Sequence, residues 1–71
     1  MRYAIVLEKG STSYGAYVPD LPGCAAAGQT EEEALKLIRE AIELHIQALK
    51  EDGLPIPEPH SRVEYVDIGV D

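Results

Sequence analysis

Apolar and polar positions divide this chain of 71 residues into three short stretches that alternate, one long stretch of helical period, and a final alternating stretch. Period two places successive side chains on opposite faces of a strand, whereas period 3.6 gathers positions three and four apart on one face of a helix. Arg2 to Glu8 reads as the first strand, with Tyr3, Ile5 and Leu7 on one face and Ala4 and Val6 on the other. Its near-continuous apolarity predicts an interior strand covered on both sides. Lys9-Gly10-Ser11-Thr12 is a turn by composition, and Ser13 to Val18 resumes the alternation, Tyr14, Ala16 and Val18 against Gly15 and Tyr17. The small residues Cys24 to Gly28 suit a short third strand lying close under another element. Together these predict a three-stranded antiparallel meander.

Between the second and third strands stands Val18-Pro19-Asp20-Leu21-Pro22-Gly23. Two prolines fix φ and remove backbone donors, so this connection is stiff and interrupts the ladder. Thr30 and Glu33 have the spacing of a capping box, which predicts a helix from Glu31 to about Asp52 with Gly53 just past its end and Pro55 beyond. Ala34, Leu35, Leu37, Ile38, Ala41, Ile42, Leu44, His45, Ile46, Ala48 and Leu49 occupy an arc of about 200°. A helix covering one sheet needs little more than 100°, so the excess predicts contact with a second chain. Leu37, Leu44 and Ala48 on the extra flank are the residues expected to self-associate, in a homodimer or higher homo-oligomer.

Gly53 to Pro59 alternates prolines with other residues and predicts an extended spacer. Arg62 to Ile68 alternates again, Val63 and Tyr65 against Glu64, Val66 and Ile68. After a helix long enough to recross the sheet, the right-handed crossover rule makes this a fourth strand parallel to strand 1. The expectation is an α+β chain of order β-β-β-α-β, one domain over residues 1–71, with one long helix packed on the sheet.

Composition narrows the partners. The formal charge is -7, with 13 acidic against 6 basic residues, so the chain would repel a phosphate backbone and attract a basic protein. Hydrophobic residues make up 45% of the sequence, yet there is no Phe or Trp, so the core must be thin and aliphatic. At this length folding buries only about 60% of the unfolded surface, and association would add stability. Cys24, the single cysteine, cannot form an intrachain disulfide, and no apolar run approaches the roughly 20 residues of a membrane helix. A cytoplasmic chain is expected.

Candidate chemistry is sparse. A two-metal nuclease needs carboxylates converging at strand ends and a helix; Glu8, Glu40, Glu43 and Asp67 are available, but strand 1 carries none between Tyr3 and Leu7. Cys24, His45 and His60 match no zinc spacing. No catalytic, cofactor or metal residue is expected. Cys24 reads as a small buried side chain, and His60 as a residue at the turn before the last strand. His45 is an interior histidine or one facing a partner. Asp20 has two readings that the sequence leaves open: a carboxylate that accepts backbone N–H groups in its turn, or one presented on a stiff loop for a partner.

The runs Tyr3-Ala4-Ile5-Val6-Leu7-Glu8, Tyr14 to Cys24 containing Val18-Pro19-Asp20-Leu21-Pro22-Gly23-Cys24, Ala27-Gly28-Gln29-Thr30-Glu31-Glu32-Glu33-Ala34, Glu40-Ala41-Ile42, and Gly53 to Pro59 make the chain similar to the HicB-like antitoxin family across nearly its whole length. The resemblance implies a partial ribonuclease H-like fold and a non-enzymatic role: binding and neutralising a small basic HicA-type RNA-cleaving toxin by masking its RNA-binding face and catalytic histidine. Residues expected at that interface are Asp20, Leu21, Glu64 and Asp67. Many relatives carry a further DNA-binding domain, for which the sequence ending at Asp71 has no room, so direct nucleic-acid binding is not expected. Two alternatives stand beside this reading, an orphan oligomeric scaffold and a metal-dependent nuclease of ribonuclease H-like topology.

Overall fold

Residues 1–70 are described by the computed structural model. The first two alternating stretches form an antiparallel hairpin of β1 (Val6–Lys9) and β2 (Tyr14–Tyr17), closed by a turn in which Gly10 N–H donates to Ser13 O at 2.7 Å. The small-residue run forms β3 (Ala25–Gly28) on the other side of β2, so the sheet order is β1-β2-β3, antiparallel throughout. The register sets Leu7, Ala16 and Ala26 in one cross-strand row and Val6, Tyr17 and Ala25 in the next, on opposite faces.

The helix α1 (Glu31–Glu51) starts and stops where local chemistry requires. Thr30 is extended, and its hydroxyl accepts from Glu33 N–H at 3.0 Å. The Glu33 carboxylate reaches back one residue further than in the usual capping box, accepting from Gln29 N–H at 2.9 Å. At the other end Leu54 N–H donates to Leu49 O and Gly53 N–H to Lys50 O, the paired bonds of a Schellman motif, with Gly53 at φ +68°. α1 lies across β3 and β2 on one face of the sheet. Its fully buried Ala34 and Ile38 meet Ala16, Val18, Leu21 and Cys24, and Tyr3, Ile5, Leu7, Tyr14, Ala26, Ala41 and Ile42 pack around them.

Gly28 shows why β3 consists of small residues. A Cβ there would stand 2.7 Å from Ala34 N and 3.0 Å from Glu33 C, so the strand end approaches the first turn of α1 as closely as backbone allows. Gly28→Ala must push the helix off the sheet. Overpacking of this kind costs about 1–3 kcal/mol, and the fall should appear as a lower midpoint in urea unfolding with an unchanged slope.

Two expectations differ from this architecture. Strand 1 is not interior: β1 lies at the sheet edge, and α1 covers only one face. The strand is also shorter than Arg2 to Glu8, because β2 ends at Tyr17 and Pro19 has no N–H with which to extend the ladder to Arg2–Ile5. The fourth strand over Arg62 to Ile68 is not formed in the single chain; residues 62–70 are without regular secondary structure and exposed. Alternation supplies strand propensity, but a strand also needs a neighbour at ladder distance, and these residues pair with none of the three strands. The radius of gyration is 14.2 Å and the longest dimension 53 Å, against about 11 Å expected for a compact chain of this length and about 31 Å for α1 itself.

Candidate functional site

The stiff connection after β2 is a knot of short-range bonds. Val18 N–H donates to Cys24 O, Leu21 N–H to Val18 O and Cys24 N–H to Leu21 O, at 3.0–3.1 Å, and Gly23 at φ +83° makes the reversal that a Cβ would strain. This folding turns Leu21 inward to 0% exposure and leaves Asp20 only 4% exposed. Of the two readings of Asp20, the structure has a backbone-accepting carboxylate, but its donors lie 40 and 41 residues away rather than in its own turn. Asp20 Oδ2 accepts from His60 N–H at 2.8 Å and Ser61 N–H at 2.9 Å; Oδ1 accepts from Ser61 Oγ–H at 2.6 Å and lies 3.1 Å from His60 Nε2.

These bonds hold the Asp20 carboxyl below its ordinary range. The Ser61 hydroxyl contributes most, then Ser61 N–H; burial opposes them, and His60 adds through its N–H and its charge when protonated. Beside this latch Tyr3 Oη donates to Pro57 O at 2.6 Å, with the phenol pushed up by burial and by the nearby carboxylates of Glu58 and Asp20. The Tyr3 bond pins the spacer to the start of the chain, and the Asp20 bonds pin the residues after it to the loop that follows β2. The Asp20, His60 and Ser61 set is not an activated nucleophile. Ser61 gives its hydrogen to the carboxylate itself, whereas activation needs a base held between the two. Cys24 is buried, and burial pushes its thiol up, away from reactivity.

Beyond the latch, Glu64 and Asp67 are exposed on segment 62–70, Glu64 in an ion pair with Arg62 at 2.7 Å. Both members of that pair are open to solvent, so it adds little stability. Asp20 anchors the residues just before this segment, whereas Leu21, expected at the partner surface, is buried in the core. On α1, Leu37 is half-buried, Leu44 is 68% exposed and Ala48 is exposed; they share one flank of the helix. His45 is half-buried at the edge of the packed face. The sheet face opposite α1 is uncovered and nearly uncharged: Val6, Gly15, Tyr17, Ala25 and Ala27 lie there, with Glu8 as the one charged residue of those strands on that side.

Sequence reasoning missed two features of this surface. Ser61 carries the shortest bond to Asp20, yet nothing in its neighbourhood distinguishes it from a solvated turn residue. The open sheet face was hidden because apolar residues on both sides of strand 1 imply two covers, and only one is present. Glu8, Glu40, Glu43 and Asp67 stay apart, and among the described residues no three His, Cys, Asp or Glu side chains converge as a metal site requires. No helix among the described residues is long and apolar enough to cross a membrane.

Comparison with known proteins adds a pattern to this geometry. A family model described as "HicB_like antitoxin of bacterial toxin-antitoxin system" matches residues 3–68. An uncharacterised 14.9 kDa protein of Haemophilus phage HP1 (strain HP1c1) is 39% identical over 67 residues, covering 94% of this chain and 50% of the phage protein, so the chain spans half the length of that relative. Among solved structures, the HicA3 and HicB3 toxin-antitoxin complex contains a chain that superposes with TM-score 0.72 at 37% identity, over 84% of this chain and 70% of that one. The N-terminal domain of Burkholderia pseudomallei antitoxin HicB superposes with TM-score 0.73 at 37% identity, over 82% and 69%. The shared architecture is three antiparallel strands and one helix.

Proposed function

The chain belongs to the HicB-like antitoxin family, whose model spans residues 3–68, and from that premise we propose that it binds and neutralises a small basic HicA-type RNA-cleaving toxin in the cytoplasm, without catalysis of its own. The observation that carries the reading is the likeness to a HicB chain from a toxin-antitoxin complex, at 37% identity. Charge supports it: a domain of net charge -7 attracts a basic RNA-binding face and steers the encounter. Covering that face and the toxin's catalytic histidine excludes RNA by occupancy. Glu64 and Asp67 on the exposed segment meet the basic partner, while Asp20 acts from behind by anchoring that segment and the buried Leu21 supports the Asp20 corner from the core. The domain self-associates, with the Leu37, Leu44 and Ala48 flank as one candidate contact, and its topology becomes ribonuclease H-like when residues 62–68 find a strand neighbour.

Co-expression with a small basic protein encoded beside this chain tests the reading. Co-elution and restored growth are expected. Reversing two exposed charges with Glu64→Lys and Asp67→Lys should weaken the complex about tenfold or more, mainly by slowing association at low salt, while thermal stability stays within about 0.5 kcal/mol. Absence of both complex and rescue would sink the proposal and leave the orphan scaffold. Magnesium-dependent RNA cleavage that disappears in a Glu8, Glu43 and Asp67 triple variant would replace it with the nuclease.

A further inference from the structure

We propose that residues 62–70 of one copy add as a β-strand to the free edge of β1 in a second copy, and that the exchange is reciprocal. This deepens the self-association reading above and rests on it, moving the main contact from the helix flank to the sheet edge.

Two incomplete halves occur on every copy. The first is the donor: Val63, Tyr65, Val66, Ile68 and Val70 stand exposed in a segment without regular secondary structure, Tyr65 at 92% and Val66 at 77%. Water-exposed alternation of this kind has strand propensity and no ladder to satisfy it. The second half is the acceptor: β1 is an edge strand, and the backbone of Arg2–Ile5 runs on past the end of β2 without a sheet partner. An open apolar edge of this length is a template for pairing with another chain.

The latch decides how the halves meet. Asp20 holds His60 and Ser61 beside the start of strand 1, and an open cleft of about 430 Å³ lies between Arg2, Tyr3 and Ala4 on one side and Ser61, Arg62 and Val63 on the other. The segment therefore begins near the start of strand 1, and beyond Val63 its residues are exposed and form no ladder with their own edge. A root fixed there and an exposed segment without a ladder suit exchange, in which an intrachain contact is replaced by the same contact between identical chains, parallel to β1.

The low charge of this segment suits a second copy of an acidic chain. Residues 62–70 hold Arg62 against Glu64 and Asp67, so the segment is nearly neutral within a chain of net charge -7. Two acidic copies therefore meet through a weakly charged part of each. Their remaining repulsion is screened by salt, so the dimer should tighten as sodium chloride rises from 50 to 500 mM.

Sedimentation equilibrium on the full chain, on Val66→Pro and on Leu44→Glu tests this, together with isotope-filtered NMR on a mixture of labelled and unlabelled chains. A dimer is expected, weakened on the order of 100-fold by Val66→Pro, because proline removes a ladder donor, and little changed by Leu44→Glu. The mixed sample should show intermolecular contacts between Tyr65 or Val66 and Tyr3 or Ile5; these decide the matter even if the proline variant loses its helical signal. A dimer insensitive to Val66→Pro but split by Leu44→Glu overturns the exchange and leaves self-association through the helix. Contacts that are intramolecular only also overturn it. A full chain that stays monomeric overturns both readings, and a monomer whose segment orders only on adding the toxin gives this strand to the toxin instead.

Discussion

Replacing Ile38 with alanine is expected to remove about 2–5 kcal/mol of stability, the range for truncating a fully buried aliphatic side chain. Ile38 is at 0% exposure and sits where α1 meets Ala16, Val18, Leu21 and Cys24. A chain of this size has roughly 4–10 kcal/mol in total, so one substitution removes about half. The melting temperature should fall on the order of 15 °C or more. The effect is large because the core lacks a second layer. Among the described residues only Leu21 and Ile38 are large side chains buried without remainder, no aromatic other than tyrosine is available, and neighbours of this size cannot fill the cavity. Glu43→Ala, on the exposed polar side of the same helix, serves as the control and should change stability by no more than about 0.5 kcal/mol. Both are read by urea unfolding followed at the helical signal, at one fixed protein concentration because self-association would raise apparent stability. A loss below about 1 kcal/mol for Ile38→Ala would mean that the helix is held by something other than this contact.

Asp20→Ala should have the second largest effect, a fall in melting temperature on the order of 10 °C, because it leaves the His60 and Ser61 N–H groups and the Ser61 hydroxyl without their acceptor in a partly buried place. Asp20→Asn should be milder. The amide oxygen can still accept the two N–H bonds, and the amide nitrogen can donate to Ser61 Oγ, so geometry survives and charge assistance is lost. The two variants also differ from the parent in pH dependence. The folded carboxyl titrates below its ordinary value of 3.8, so the unfolded chain binds this proton first. Stability from Asp20 is fully present above that ordinary value and is lost as pH falls through the lower folded one. The parent should lose stability below about pH 4 by an amount that Asp20→Asn does not. Coincident acid limbs in the two proteins would show that the latch contributes nothing through its charge.

The latch also marks the limit of what could be read from sequence. That Val18-Pro19-Asp20-Leu21-Pro22-Gly23 is a stiff corner follows from proline and glycine chemistry alone, and so do the Thr30 cap and the Gly53 stop. The assignment of Leu21 to the presented surface does not match the geometry, because the same prolines that stiffen the corner roll Leu21 under α1. Asp20 could be recognised as a hydrogen-bonding carboxylate, yet its partners are 40 and 41 residues away. No local signal marks Ser61 as the residue that closes the loop, since a serine after a proline-rich spacer looks the same whether it is anchored or solvated.

Local patterns in this sequence determined the three short strands, the helix and its caps, the buried Cys24 and the membership of the HicB-like antitoxin family, because each depends on residues within a few positions of one another. Only the tertiary structure decided which faces are covered and which strands find neighbours. α1 has one sheet face to cover and leaves Val6, Tyr17, Ala25 and Ala27 open; β1 becomes an edge; and residues 62–70, patterned as a strand, stay without a ladder because pairing is a property of two segments at ladder distance, which no local pattern encodes.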